Sequence, residues 1–316
     1  MPGKKTIAVV GATGAQGGGL VRAVLDDPAE PFAVRTLTRH PKGEKGQELA
    51  AQGAEVVGAD LDDRASLEKA FAGADGVFCV TNFWEHFSPE KEIEQARNMA
   101  EAALHAGVGH VVWSTLEDTR LDVPLDDDRM PTLMGNYKVP HFDAKGEANA
   151  EFSDRGLPVT FLLTSFYWDN LLYFGMEPRR GPDGRLKFAL AMEDKPLPGI
   201  AAVDIGKCAY GVFKGRDRYV GETVGIAGEH LTGGEMAAAL TEALGEPVDY
   251  QAVPFGVFRS LGFPGAEDLG NMFQYKAEFN DRFCGARDPE VARSLNPELL
   301  TFRDWLARNK KRMPRA

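Results

Sequence analysis

Residues 6–26 of the 316-residue chain read TIAVVGATGAQGGGLVRAVLD. The apolar run at 7–10 is typical of a buried strand, and the apolar residues after the glycines recur at the spacing of an amphipathic helix. Gly11 permits a tight turn between the two elements, Gly14 lets the backbone approach a pyrophosphate, and Gly17 lets the helix pack closely on the strand. The N-terminus of the helix would face the bound anion. The stretch therefore predicts a dinucleotide-binding unit.

Further apolar runs follow and alternate with amphipathic stretches. The runs lie at 32–37, 56–59, 77–80, 111–114 and 159–163, and the amphipathic stretches at 16–25, 65–71, 90–106 and 140–153. This alternation predicts an α/β fold with a doubly wound parallel sheet of the Rossmann type. We expect a dinucleotide-binding Rossmann domain over 1–165, with its sheet completed by about 201–227. Residues 166–200 and 228–316 are expected to form a smaller C-terminal α/β lobe that closes over the site.

The composition argues against several classes of protein. The chain carries 36 Lys and Arg against 47 Asp and Glu, a net charge of -11, which disfavours a general surface for nucleic acid or an anionic membrane. Its three cysteines, Cys79, Cys208 and Cys284, have neither metal-binding nor disulfide spacing. No apolar run approaches the length of a membrane span, and no apolar leader precedes the first strand. We expect a cytoplasmic protein with no metal site, no membrane partner and no direct nucleic-acid binding.

The second strand indicates which dinucleotide binds. An NAD site needs an acidic residue there to accept a hydrogen bond from the ribose 2′-hydroxyl, whereas a 2′-phosphate needs a cation. No Asp or Glu lies between residues 32 and 43, and the strand leads into Arg39 and Lys42. Arg39 can stack on adenine and pair with the phosphate, with Lys42 nearby. NADP(H) is the predicted cofactor, and a solvated basic loop is the alternative interpretation.

Residues that follow three other strands extend the predicted site. Asp60 ends the third strand, where it can accept a hydrogen bond from the adenine amino group or instead form a turn. Thr81 and Asn82 follow the fourth strand at the carboxyl edge of the sheet, where ligands of such sheets bind. Phe83 comes next and fits either a site wall or the core. After the sixth strand, a nicotinamide-side wall or plain core packing is expected from Tyr167, Trp168, Asp169 and Asn170.

The catalytic residues of a reductase are only partly present. The G-x-x-G-x-x-G spacing resembles the short-chain dehydrogenase/reductase superfamily, whose members carry Tyr-x-x-x-Lys after the fifth strand and a Ser near its end. Here that helix contains His141 and Lys145, and Ser114 lies at the strand end. Lys145 can reach the nicotinamide ribose, and His141 would have to donate the proton. Tyr137 does not take the acid's place, because Pro140 is expected to open the helix after it. A surface His–Lys pair without a catalytic role is the alternative.

Five short motifs together resemble the NmrA-like family of atypical short-chain dehydrogenases. They are Gly-Ala-Thr-Gly-Ala-Gln-Gly-Gly, Thr-Arg-His-Pro, Val-Thr-Asn-Phe-Trp-Glu, His-Phe-Asp-Ala-Lys-Gly-Glu and Leu-Gly-Phe-Pro-Gly-Ala. The similarity runs from Lys4 to about Trp305 and is closest to the redox-sensor branch. It implies NADP(H) binding, loss of the active-site tyrosine, and a role as a redox sensor or transcriptional regulator that acts through a regulatory protein partner or as a homodimer. Other branches reduce substrates, so an NADPH-dependent reductase of a small carbonyl or quinone-like substrate is the alternative.

The resemblance also implies which residues contact the cofactor. They are Gly11, Ala12, Thr13, Gly14, Ala15, Gln16, Gly17, Arg39, Lys42, Asp60, Leu61, Thr81, Asn82, Phe83, Lys145, Tyr167, Trp168, Asp169 and Asn170. The chain departs from the family pattern at Glu94, where a basic residue near the cofactor is expected. It also has a longer loop at 116–135, which carries three consecutive aspartates, Asp126, Asp127 and Asp128. This loop is interpreted as a mobile lid or as a solvated acidic loop.

Overall fold

Thirteen strands and fifteen helices make up the part of the chain that the computed structural model describes, residues 4–29 and 31–314. The strands are β1 (Lys5–Val9), β2 (Phe32–Thr38), β3 (Glu55–Gly58), β4 (Gly76–Cys79), β5 (His110–Thr115), β6 (Val159–Leu163), β7 (Phe166–Tyr167), β8 (Arg179–Arg180), β9 (Leu186–Leu190), β10 (Leu197–Ile200), β11 (Thr223–Gly225), β12 (Glu229–Leu231) and β13 (Val248–Ala252). The helices are α1 (Ala15–Leu25), α2 (Glu44–Ala51), α3 (Arg64–Phe71), α4 (Pro89–His105), α5 (Pro140–Glu147), α6 (Asn149–Ser153), α7 (Asn170–Tyr173), α8 (Ala202–Lys214), α9 (Arg216–Tyr219), α10 (Gly233–Leu244), α11 (Phe255–Arg259), α12 (Ala266–Glu278), α13 (Asn280–Gly285), α14 (Pro289–Leu295) and α15 (Phe302–Asn309).

A seven-stranded sheet forms the centre of the fold, in the order β11-β6-β5-β4-β1-β2-β3. All of its neighbouring strands are parallel. The order reverses at β1, because the chain runs outward through β2 and β3 and then returns to β4 on the other side. In open sheets this reversal creates a crevice at the carboxyl ends of the strands, where ligands bind. The predicted α/β fold with a doubly wound parallel sheet is confirmed.

Helices cover both faces of the central sheet. Helices α1 and α8 bury one face, and α3, α4 and α6 bury the other. Residues 202–214, which lie in the stretch expected to complete the sheet, form α8 rather than a strand, and β11 supplies the added strand beside β6. Helices α1 and α8 cross closely, since a Cβ added to Gly206 would lie 2.0 Å from the backbone nitrogen of Leu20. This crossing holds α1 against the sheet.

Two three-stranded sheets lie in the C-terminal half of the chain. Their orders are β12-β10-β7 and β13-β9-β8. With α10, α12 and α15 they enclose a second core, which includes Phe188, Leu240, Phe273 and Trp305. The expected smaller α/β lobe is therefore present, and it packs on the carboxyl edge of the central sheet through β7, which follows β6 by two residues.

No helix within residues 4–29 and 31–314 combines the length and the apolar character needed to cross a membrane. The three cysteines are free thiols. Burial raises the pKa of Cys79 and of Cys208, so neither is a reactive thiolate. The described residues also contain no group of three or more His, Cys, Asp or Glu side chains placed to hold a metal ion.

One lysine is buried in the core of the C-terminal lobe. Lys276 on α12 is 3% exposed, and none of the described residues accepts a hydrogen bond from its Nζ. The Nζ lies 5.3–5.8 Å from the centroids of three rings, those of Phe142, Phe273 and Phe283. Burial and the nearby Arg287 guanidinium lower the pKa of Lys276 to about 7, against a partial opposing effect of the Glu117 carboxylate. A charge here destabilises the fold.

We expect Lys276→Met to stabilise the protein at pH 7 by roughly 1–4 kcal/mol. The pKa of this lysine is about 7 in the folded state and near 10.5 in the unfolded state, so the unfolded state binds more protons between these values. The stability of the parent protein therefore rises with pH across this window, and the variant loses that rise. Urea unfolding between pH 7 and pH 10 measures both effects. The exposed Lys311→Met is the control, and equal pH slopes for the parent and Lys276→Met would contradict the interpretation.

Candidate functional site

The glycine-rich turn lies where the strand order reverses, at the carboxyl end of β1. Gly11 has a φ of +65°, in the left-handed region, and its carbonyl oxygen accepts a hydrogen bond from the Gly14 nitrogen at 2.8 Å. A Cβ added to Gly17 would lie 2.4 Å from the same carbonyl oxygen. The turn therefore requires glycine at both positions, for conformation at Gly11 and for close packing at Gly17.

The N-terminus of α1 is open to an anion. Its N-cap residue, Gly14, provides no side-chain hydrogen bond, and the first helical turn holds no acidic residue. Ala12 is buried, whereas Thr13, Gly14 and Ala15 are exposed. The first N–H groups of a helix have no partner within the helix, and together with the helix dipole they form a site for phosphate. The predicted pyrophosphate position fits this geometry.

Two buried polar atoms at the same sheet edge have no hydrogen-bond partner among residues 4–29 and 31–314. They are Gln16 Oε1 and Ser165 Oγ. Gln16 Nε2 donates to the Tyr167 hydroxyl at 2.6 Å, which joins the glycine-rich turn to the segment after β6. Buried polar atoms normally have partners, so an unpaired pair at a crevice points to a ligand that supplies them. A dinucleotide, with its phosphates, ribose hydroxyls and carboxamide, has suitable groups.

An exposed ion pair occupies the predicted 2′-phosphate position. Arg39 Nη2 lies 3.1 Å from Glu85 Oε1, and the two side chains are 58% and 51% exposed. Glu85 ends a single 3-10 turn, Phe83–Glu85, which follows β4. Lys42 lies beyond β2 and is also exposed. Since exposed ion pairs contribute little free energy, the Arg39 guanidinium remains accessible to a phosphate.

Residues after β3 form a hydrogen-bonded turn. Asp60 Oδ1 accepts from the backbone nitrogen of Asp62 at 3.0 Å, and the Leu61 carbonyl accepts from the Asn98 side chain at 2.8 Å. The turn-forming role that was the alternative for Asp60 is therefore the one seen in the structure. The residue is exposed, so an adenine can still reach its carboxylate.

A buried carboxylate that the sequence analysis did not identify holds Lys145. The Lys145 Nζ on α5 lies 2.7 Å from Glu92 Oε1 on α4 and 2.6 Å from the Thr81 hydroxyl, which follows β4. Thr81 also contacts Glu92 Oε1 directly. Burial opposes ionisation of Glu92, but the Lys145 ammonium, the nearby His86 and the Thr81 hydroxyl lower its pKa to about 2. Glu92 is therefore ionised at neutral pH.

The second oxygen of Glu92 faces His86. The His86 Nε2 lies 3.3 Å from Glu92 Oε2, but neither atom has a hydrogen bond of acceptable geometry within the described part of the chain. His86 Nδ1 accepts from the Ser88 nitrogen at 3.1 Å, so a neutral ring carries its proton on Nε2, on the side of Glu92. Glu92 is thus surrounded by Lys145, Thr81 and His86, from three elements.

His141 is paired with the C-terminal lobe and not with Lys145. Its Nδ1 lies 2.6 Å from Asp268 Oδ1 on α12, and its backbone nitrogen donates to Asp268 Oδ2 at 3.2 Å. The two side chains are 8% and 5% exposed. The Trp84 ring packs against the imidazole at a tilt of 47°, with centroids 4.8 Å apart. The two residues do not form a surface His–Lys pair, because His141 is buried, the Lys145 side chain is 12% exposed, and each is paired with its own carboxylate.

The other two residues considered for catalysis, Ser114 and Tyr137, both precede α5 in the chain. Ser114 is buried within β5. Helix α5 begins at Pro140 as expected, and Tyr137 precedes it in an isolated bridge with Leu133. The Arg120 guanidinium lies 5.1 Å from the centroid of the Tyr137 ring. Tyr137 is therefore held by the loop and not by the helix that carries Lys145.

The segment after β6 is largely built into the C-terminal lobe. Trp168 is 1% exposed and packs in the core of the lobe against Phe302. Asp169 Oδ2 accepts from the backbone nitrogen of Ala202 at 2.9 Å, at the start of α8, and Asn170 begins α7. Core packing thus accounts for Trp168, and helix capping for the Asp169 carboxylate.

The loop at 116–135 is tied to α12. Asn271 donates to the Pro131 carbonyl at 2.9 Å, and Gln274 donates to the Arg129 carbonyl at 2.8 Å. The Tyr275 hydroxyl lies 2.7 Å from Asp122 Oδ2. The helix that contacts His141 through Asp268 therefore also positions this loop.

Sequence reasoning missed Glu92, His86 and Asp268. For Glu92 a signal exists, because it precedes Gln95, Ala96 and Met99 at helical spacing and so shares the buried face of α4. An acidic residue on such a face needs a buried cation. Asp268 has no local signal, because its partner lies 127 residues earlier in the chain.

Comparison with known proteins shows which family the chain belongs to. The model of the NmrA-like family matches residues 3–306. An NmrA-like family domain-containing protein of Dictyostelium discoideum is 30% identical over 312 residues, which cover 96% of this chain and 97% of the relative. An NmrA-like family domain-containing oxidoreductase of Aspergillus hancockii is 30% identical over 284 residues, which cover 85% of this chain and 82% of the relative.

Solved structures agree with this placement. NmrA, a negative transcriptional regulator solved in complex with NADP, is 26% identical to this chain and has a TM-score of 0.77. The match covers 96% of this chain and 94% of that structure. NmrA has also been solved in complex with NAD. The family match extends over almost the whole sequence, and the chain belongs to the NmrA-like family.

Proposed function

We propose that the protein binds NADP(H) at the carboxyl edge of the central sheet and acts as a sensor of this cofactor, with little or no dehydrogenase activity. The observation that carries the proposal is the pair of Arg39 and Glu85, 3.1 Å apart. It joins the predicted phosphate ligand to the turn Phe83–Glu85. A 2′-phosphate forms stronger charge-assisted hydrogen bonds with a guanidinium than an exposed carboxylate does. Cofactor binding would therefore release this turn from Arg39.

The released turn is linked to the C-terminal lobe. Trp84 in the turn packs on His141, and a Cβ added to Gly265 would lie 2.8 Å from the Trp84 ring. His141 in turn bonds to Asp268 on α12. A ligand shifts an equilibrium only by its differential affinity for the two states, and competition for Arg39 supplies such a difference. The proposed signal runs from the phosphate through this turn to α12.

A relative of known structure supports two general features of the proposal, namely the binding of a nicotinamide dinucleotide and a regulatory role. NmrA is a negative transcriptional regulator and has been solved with NADP and with NAD. By analogy, a role in regulation for this chain would use a protein partner or a second copy of the chain. The preference for NADP(H) over NAD(H) rests on Arg39 and Lys42 and not on this analogy.

The 2′-phosphate contact predicts that NADPH binds roughly tenfold to a hundredfold more tightly than NADH, the value of one strong charge-assisted contact. Arg39→Glu should abolish this preference. Glu85→Gln should raise the affinity for NADPH by up to about fivefold, because it removes the competing carboxylate, and should leave NADH unchanged. Isothermal titration with both cofactors measures all of these affinities. Equal affinities of the parent protein for NADPH and NADH would disprove the assignment of Arg39.

The sensor role predicts that NADPH slows amide hydrogen exchange beyond the residues that contact it. The affected segments should be 83–92, 116–135 and 166–200, which border the site or contact α12. In Glu85→Gln without cofactor, segment 83–92 should exchange faster than in the parent, because the Arg39 contact is lost and no cofactor contact replaces it. Exchange followed by mass spectrometry gives the result, and protection confined to the glycine-rich turn would argue against a switch.

A specific observation favours the second candidate, an NADPH-dependent reductase of a small carbonyl or quinone-like substrate. Asp268 fixes the Nδ1 side of the buried His141, and Nε2 has no hydrogen-bond partner among the described residues. Because Nδ1–H is donated to Asp268, only the imidazolium form carries a second proton on Nε2, and that form could transfer it to a developing alkoxide and leave the neutral ring. Bound NADPH would supply the hydride. Lys145 would orient the ribose, with its charge balanced by Glu92.

Because the tyrosine acid is absent, we expect negligible NADPH oxidation with a panel of aldehydes, ketones and quinones. The reductase alternative requires turnover that falls by roughly two to four orders of magnitude in His141→Ala, with NADPH binding retained. Asp268→Asn should then lower kcat more than it changes KM. Tyr137→Phe is the matched control, since Tyr137 lies outside the proposed machinery. Turnover that depends on His141 in this way would contradict the sensor proposal and support the reductase.

A further inference from the structure

The fully buried Glu92 is the unusual feature of the site. Its side chain is 0% exposed, and Lys145, its partner at 2.7 Å, is 12% exposed. The ammonium is therefore the more exposed member of the pair, and the carboxylate is the more deeply buried one. Burying a charge pair is costly, so a carboxylate retained at this depth calls for an explanation beyond stability. Oε1 contacts Lys145 and Thr81, and Oε2 has no hydrogen bond within the described residues.

The two redox forms of the cofactor differ in charge at one end only. The oxidised nicotinamide ring carries a positive charge that the reduced ring lacks, whereas the phosphates and the adenosine are the same in both forms. A protein that discriminates between the forms electrostatically must do so through charges near the ring. Without a neighbouring carboxylate, the Lys145 ammonium beside the nicotinamide would disfavour binding of the oxidised form. The Glu92 carboxylate offsets that effect.

We propose that Glu92 determines how the protein discriminates between NADP⁺ and NADPH, by balancing the charge of Lys145 beside the nicotinamide. The inference rests on the proposed function, since it requires the cofactor to bind with its nicotinamide near Lys145. With Glu92 in place, the pair is electrically neutral, and the positively charged ring is tolerated. A sensor built in this way responds to total NADP(H) occupancy. Without the carboxylate, it would respond mainly to the reduced form.

The test is the ratio of the dissociation constants for NADP⁺ and NADPH, measured by isothermal titration at pH 6.5. Glu92→Gln preserves the size of the side chain and a carbonyl oxygen for Lys145, but removes the negative charge. We expect it to raise the ratio by about threefold to thirtyfold, the size of one unit charge acting over several ångströms at an intermediate dielectric constant. A purely structural defect would weaken the binding of NADP⁺ and of NADPH alike and leave the ratio of their dissociation constants unchanged.

A double variant separates charge from structure. Glu92→Gln combined with Lys145→Met removes both members of the pair, so the ratio should return close to the parent value even if both affinities fall. Glu94→Gln is the matched control, because Glu94 lies one half-turn further along α4, is exposed, and pairs with Lys91. It removes the same charge and should not change the ratio.

The outcomes distinguish this inference from the proposed function. If the parent protein binds neither NADP⁺ nor NADPH, the proposed function fails. If it binds both and Glu92→Gln leaves the ratio at the parent value, the assignment of Glu92 is overturned while cofactor binding stands. A ratio that rises in Glu92→Gln and returns to the parent value in the double variant supports the proposed role of Glu92.

Discussion

The contact between the first strand and the first helix is the constraint on which the rest of the structure depends. A side chain at Gly17 would meet the Gly11 carbonyl at 2.4 Å, so the helix can approach the strand only at glycine. This approach brings the uncapped N-terminus of α1 to the point where the strand order reverses. Helix α8 then packs on α1 through Gly206, and the residues before α8 begin the C-terminal lobe. The crevice and the lobe that borders it are thus set by close backbone contacts.

Two buried carboxylates hold helix α5, one from each part of the chain. Glu92 reaches Lys145 from the Rossmann part, and Asp268 reaches His141 from the C-terminal lobe. Each pair satisfies charges or hydrogen-bonding groups that would be costly to bury alone. One short helix therefore connects the sheet edge to the lobe. The same arrangement is compatible with a proton donor on His141 and with transmission of movement between the two parts.

The sequence predicts the central sheet well, because its inner strands are largely buried and appear as continuous apolar runs. It does not predict α2, since Gly46 is its only buried residue and the apolar stripe is too short to recognise. The stretch before residue 214 was expected to return to the sheet, yet its small apolar residues form a helix that packs on α1. In the site, the sequence motifs predict Arg39 and Lys145 as functional residues. They do not predict Asp268, because its contact with His141 joins distant parts of the chain and leaves no local pattern.

The proposed switch requires the cofactor phosphate to displace Glu85 from Arg39. A crystal structure of the protein with NADP⁺ bound tests this most directly. We expect the guanidinium on the 2′-phosphate, Glu85 separated from Arg39, and a displaced turn Phe83–Glu85 beside His141. An Arg39–Glu85 pair that remains intact, with the 2′-phosphate bound by other residues and the turn unmoved, would contradict it.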